Sequence, residues 1–96
     1  MKVKELLSDK KRWTTEAYAR SRNRNLCDPK SSRAYSFCLL GAIRKCYGEL
    51  TIENQDVINK LKDAICQLGH SDSITEFNDH VATFEDIQKV LEIANI

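Results

Sequence analysis

The sequence predicts a mainly α fold: a compact single-domain bundle of three to four helices around a buried central helix at about residues 33–47. Three features lead there. The run Phe37-Cys38-Leu39-Leu40-Gly41-Ala42-Ile43 carries no charge and almost no polarity, so it has to be buried. Apolar residues at Val57, Ile58, Leu61, Ala64, Ile65 and Leu68 recur at helical spacing, and so do Phe84, Ile87, Val90, Leu91 and Ala94. A length of 96 residues suits one core and is too short for two.

Each element follows from local chemistry. Leu6 and Leu7 beside Lys2, Lys4 and Glu5 make a short amphipathic start at residues 3–7. Thr14 and Thr15 then offer N-cap oxygens to a turn of helix over Glu16 to Ser21. Residues 20–33 are rich in Ser, Asn, Arg and Lys and contain the only proline, Pro29, so they read as a basic, mobile loop. For the central helix, Ser31 or Ser32 supplies a cap oxygen, Arg44 and Lys45 complement the negative end of the dipole, and Gly48 stops it. Gly41 within it lets another element approach closely. Thr51 or Asn54 caps the next helix, over about 53–68, whose stripe is expected to lie on the central helix and whose C-terminal stop is Gly69. His70 to Ser73 read as a turn, residues 74–78 leave room for a short extended segment, and Asn78-Asp79 read as a turn whose side chains bond nearby backbone N–H groups. Thr83 with Asp86 forms a variant capping box for the last helix, over 84–94.

Composition excludes several classes. No run approaches the roughly 20 apolar residues of a membrane helix, and the first residues lack the apolar core of a signal peptide. The reading is a soluble, cytoplasmic protein without membrane partners. Cys27, Cys38, Cys46 and Cys66 show no zinc-type spacing, and in a reducing compartment they read as small buried hydrophobes rather than disulfides or metal ligands. No metal or cofactor is expected. The formal charge of +1 hides a split: residues 1–47 hold 12 Lys or Arg against 4 Asp or Glu, and residues 48–96 hold 3 against 10. Either the two halves attract each other as they pack, or a basic face meets an anionic partner.

Trp13, the Phe37–Ile43 block, Phe77-Asn78-Asp79 and Thr83-Phe84-Glu85-Asp86-Ile87 together resemble a family of small, uncharacterised bacterial and phage proteins, a domain of unknown function. The resemblance implies a compact cytoplasmic domain with no established activity. His80 and the loop arginines are not part of the pattern.

Three functional classes follow. The first is a small non-enzymatic interaction protein, phage-encoded, that binds and modulates a host macromolecule, with a protein as partner. The second is a binder of nucleic acid or another phosphate-bearing ligand through Lys10, Lys11, Arg12, Trp13, Arg20, Arg22, Arg24 and Arg33, with Trp13, Tyr18 or Tyr35 as stacking surfaces. Trp13 serves equally well as the large side chain that closes one edge of the core. The third is an enzyme with Cys38 as nucleophile, His80 as base and Asn78 or Asp79 as orienter. A reactive thiol needs partial exposure and a lowered pKa. A cysteine two turns into an apolar helix, packed among Tyr35, Leu39 and Ala42, has neither and should be inert.

Overall fold

In a computed structural model of the chain, which describes residues 1–49, 52–71 and 73–96, five helices surround one apolar core with a two-stranded sheet at its edge. Thr51 and Asp72, read above as a cap and as part of a turn, lie outside the described residues. The helices are α1 (Val3–Leu6), α2 (Leu39–Tyr47), α3 (Gln55–Gln67), α4 (Ile74–Glu76) and α5 (Phe84–Ala94), and the strands are β1 (Ala19–Arg20) and β2 (Ser36–Phe37). Phe37, Leu39, Ile43, Leu61, Ile65, Phe77, Ile87 and Leu91 are all buried. The Cα radius of gyration of 12.1 Å fits the roughly 13 Å of a packed single domain of this size. The mainly helical, single-domain reading is borne out.

The central helix is shorter than expected. It begins at Leu39 with Cys38 as its N-cap, and residues 33–38 are not helical. Tertiary pairing overrides local propensity there. β2 runs antiparallel to β1 with Ala19 opposite Phe37 and Arg20 opposite Ser36. On its other side Phe37 bridges to Trp13, whose neighbour Thr14 donates its N–H to the Phe37 carbonyl at 3.0 Å. The same pairing keeps Glu16 to Ser21 out of a helix and makes residues 19–20 a strand.

Gly41 faces this sheet. A Cβ built there would lie 1.8 Å from the Tyr18 carbonyl oxygen, so only glycine lets the β1 approach cross α2 at this distance. The close approach read from the sequence is therefore real, and the atoms met are backbone.

α3 and α5 appear where their periodicity places them. The stripe of α3 packs chiefly on α5 rather than on α2, whose shortened body is taken up by α1, α4 and β2. Thr83 Oγ1 accepts from Asp86 N–H at 3.2 Å while Asp86 Oδ2 accepts from Thr83 N–H at 3.0 Å, the capping box in full. Residues 74–78 are helical, not extended. Ser73 caps α4, and the chain continues from Phe77 to Val81 as a wider turn in which Ala82 N–H reaches the Phe77 carbonyl at 2.8 Å. At the two ends of the described chain, Val3 N–H donates to the Ile96 carbonyl at 2.8 Å, and Lys2 and Lys4 both donate to Asn95 Oδ1 at 2.9 Å.

Candidate functional site

Two places gather the residues singled out by sequence. The first is the N-terminus of α2, where Asn78 ties its own turn to the Trp13-Thr14 segment and to the start of α2. Its Oδ1 accepts from the Trp13 indole N–H at 2.9 Å and from Leu39 N–H at 3.0 Å. Its Nδ2 donates to the Thr14 carbonyl at 3.2 Å and to Asp79 Oδ1 at 2.8 Å. A carboxamide offers two donors and two lone pairs, and all four are used by a side chain that is only 2% exposed. Asp79 Oδ1 also accepts from Glu16 N–H at 2.9 Å. The Asn78-Asp79 pair thus bonds segments more than thirty residues away, not its own turn.

Sequence reasoning missed this hub, although one signal was available. Ile74, Phe77, Asn78 and Val81 recur at spacings of three, one and three, which places the asparagine on the apolar face of a helical turn. A polar residue there needs buried partners.

A cleft of about 340 Å³ opens beside the hub, walled by Tyr18, Leu40 and Ile74, with Cys38, Asn78 and Asp79 lining it together with Glu16 and Thr75. Cys38 therefore stands at a helix N-terminus and not two turns inside an apolar helix. Its Sγ accepts from Gly41 N–H at 3.3 Å. Burial nevertheless pushes the thiol above its ordinary value, the Gly41 and Leu40 amides pull it back, and the Asp79 carboxylate adds to the rise. His80 is exposed and does not line the cleft, so Cys38, Asn78 and Asp79 are brought together while the imidazole is left outside. The other thiols differ in burial: Cys27 and Cys46 are half-buried, and Cys66 is exposed, against the expectation that all four are buried.

The second place is the basic stretch. Lys10, Lys11 and Arg12 form a tight turn capped by Asp9, whose side chain accepts from Lys11 N–H at 2.9 Å. The Arg12 and Arg22 guanidinium carbons each lie 4.8 Å from the centre of the Tyr35 ring, and Arg12 Nε also donates to the Tyr35 carbonyl. Arg20 is held by Thr14 Oγ1 at 3.1 Å and by the carbonyls of Arg24 and Thr15. Arg24 and Arg33 are exposed. The backbone of residues 20–33 is tied in by Ser21 N–H to the Asn25 carbonyl at 2.8 Å, Lys30 N–H to Asp28 Oδ1 at 2.8 Å, and Tyr35 N–H to the Arg20 carbonyl at 2.9 Å.

Trp13 stands apart from these cations. Its indole is engaged by Asn78 and its ring is tilted against Phe84, with centroids 6.1 Å apart. Of the three aromatic rings considered for stacking, Tyr35 is covered by Arg12 and Arg22, and half-exposed Tyr18 carries Arg44 at 5.3 Å. Among the described residues the ion pair is Arg44 with Glu49 at 3.2 Å, and it involves none of Lys10, Lys11, Arg12, Arg20, Arg22, Arg24 or Arg33.

Residues 1–95 match the family model described as a family of unknown function, DUF6197. The chain belongs to the DUF6197 family. That agrees with the resemblance to an uncharacterised domain drawn from the sequence. No curated protein and no solved structure matches this DUF6197 chain. Among the described residues, no helix is long and apolar enough to cross a membrane.

Proposed function

We propose that this protein is a non-enzymatic interaction protein that docks an anion-bearing macromolecule on its arginine-rich face and modulates it. The observation that carries the reading is what holds the arginines. Arg12, Arg20 and Arg22 are positioned by an aromatic ring, a hydroxyl and backbone carbonyls, all of them neutral. Neutral partners restrict a guanidinium without cancelling its charge. Carboxylates or phosphates on a partner then meet donors whose rotamer entropy is already spent, which favours binding. A protein partner is the first choice, because the Trp13 and Tyr35 rings are already engaged within the fold, by Phe84 and by Arg12 and Arg22. The buried, upshifted Cys38 thiol and the solvent position of His80 support a binding role over nucleophilic catalysis.

The test is affinity capture from a cell extract at about 50 mM and about 200 mM salt, with and without nuclease, using the wild type and the Arg12→Gln, Arg22→Gln double variant. A nuclease-resistant protein that is released by salt and lost with the double variant is the expected result. A nuclease-sensitive catch would transfer the reading to nucleic acid. Capture that is undiminished in a folded double variant would overturn the arginine face.

A further inference from the structure

Beyond diffuse charge, the basic stretch contains a defined cleft. β1 leaves the sheet at Arg20, turns through Ser21 to Asn25, and returns at Leu26 opposite Arg20. The turn is closed by Arg24 N–H to the Ser21 carbonyl at 2.9 Å and by Asn25 N–H to Ser21 Oγ at 3.3 Å, with Arg24 at a φ of +69°. Between this turn and the Ser32-Arg33 segment lies a cleft of about 450 Å³, within the range of small-molecule sites. Its polar walls come from Arg22, Arg33, Ser21, Ser32, Asn23 and Asn25, and no carboxylate is among the residues that line it.

That inventory is rich in donors. Two guanidiniums have no acceptor capacity, two carboxamides carry N–H₂ groups, and the Ser21 hydroxyl, already accepting from Asn25 N–H, has its own hydrogen left to give. The matching ligand presents several acceptor oxygens on one small centre and about two negative charges. A terminal phosphate monoester does so above its second pKa of about 6, whereas a diester has one charge and two substituents to accommodate. Arg22 reaches the cleft from the Tyr35 ring, so one of the two cations is already positioned.

We propose that this cleft binds a terminal phosphate monoester. The inference rests on the arginine-face reading and names the chemical group that face recognises.

The experiment is calorimetric titration of the full chain with phenyl phosphate, diphenyl phosphate, and a phosphotyrosine peptide of otherwise neutral sequence. Phenyl phosphate should bind with one-to-one saturation, at least about tenfold tighter than the singly charged diester, and weaken as the pH falls below about 6. Arg33→Gln should weaken phenyl phosphate about tenfold, while Lys60→Gln with Lys89→Gln, at two exposed lysines outside the basic stretch, should leave it within about twofold. Arg33 is exposed and stands outside the Tyr35 clamp, so this variant separates the cleft from the wider face. A peptide that binds tighter than phenyl phosphate assigns the group to a phosphorylated protein, and equal affinity assigns it to a free small molecule.

Absence of saturation, equal affinity for the diester, or equal losses from the lysine and Arg33 variants would overturn the cleft. If phosphate fails to bind while macromolecular capture still disappears in the Arg12, Arg22 double variant, the cleft falls and the face stands. Loss of capture dependence alone leaves the cleft standing and removes the face.

Discussion

Gly41 and Asn78 decide the geometry at the scale of single residues, and each makes a sharp prediction. A methyl group at position 41 would meet the Tyr18 carbonyl oxygen at 1.8 Å, an atom that no rotamer change can move. Gly41→Ala should therefore lower stability by about 3 kcal/mol, the upper end of ordinary overpacking, read as a shift in the urea midpoint. An unchanged midpoint would mean that β1 can retreat freely. Asn78→Asp keeps the volume but turns two donors into acceptors facing the Thr14 carbonyl and the Asp79 carboxylate. The expected loss is again about 3 kcal/mol or more, and full stability in denaturant would show that the hub is dispensable. Cys38 carries a pH signature. Its thiol is held above the ordinary value near 9.0 by burial, so once the pH passes that value the unfolded chain releases a proton that the folded chain keeps. Stability is intact below the ordinary value and falls as pH rises toward the folded one. Cys46 is pushed up by burial as well, and Tyr47 is pushed up from its higher ordinary value of 10.0, so above pH about 9 the decline should be shallower in Cys38→Ser but still present. An identical decline in wild type and variant would refute the assignment to Cys38.

Elements with their own periodicity were the legible ones. α3 could be read from its stripe and its stop, although Asn54 at its N-cap gives the helix no side-chain hydrogen bond, and α5 from its stripe and its cap, where Thr83 with Asp86 forms the box its spacing announces. Thr83→Ala should cost about 1 kcal/mol, and adding Asp86→Ala should cost less than a second full increment because both belong to one motif; a strictly additive pair would argue against a shared cap. The first half of the central helix was misread for a physical reason. Nothing local in Arg33 to Phe37 forbids helix, but Ser36 and Phe37 find strand partners at Ala19 and Arg20 and a bridge at Trp13. Those pairings span sixteen or more positions and leave no periodic trace in a two-residue strand. The hub was half legible. Trp13, the Cys38-Leu39 step and Asn78-Asp79 stand out individually as unusual, while their convergence depends on the turn from Phe77 to Val81, whose polar member sits on an apolar face. The basic face was legible as composition only, since a charge count does not reveal that Tyr35 gathers Arg12 and Arg22.

For the whole molecule, the charge split predicts salt-sensitive docking. With duplex DNA as a generic polyanion, the slope of log affinity against log salt should flatten by about two units in the Arg12→Gln, Arg22→Gln variant; an unaltered slope would place the contact elsewhere. The asparagine hub also bears on how the chain acquires its shape. Trp13 and Leu39 receive their polar partner from a residue 65 and 39 positions further along, and Val3 bonds to Ile96. Such separations are unusual for a helical domain of this length and slow the search for the native state relative to a bundle closed by neighbouring helices. During synthesis at roughly 5–20 residues per second, Trp13 is therefore made several seconds before the amide that satisfies its indole. Until Asn78 clears the ribosome, the opening segment of α2 lacks the acceptor that its first N–H meets in the finished fold, and the corner that Trp13 and Leu39 share stays open.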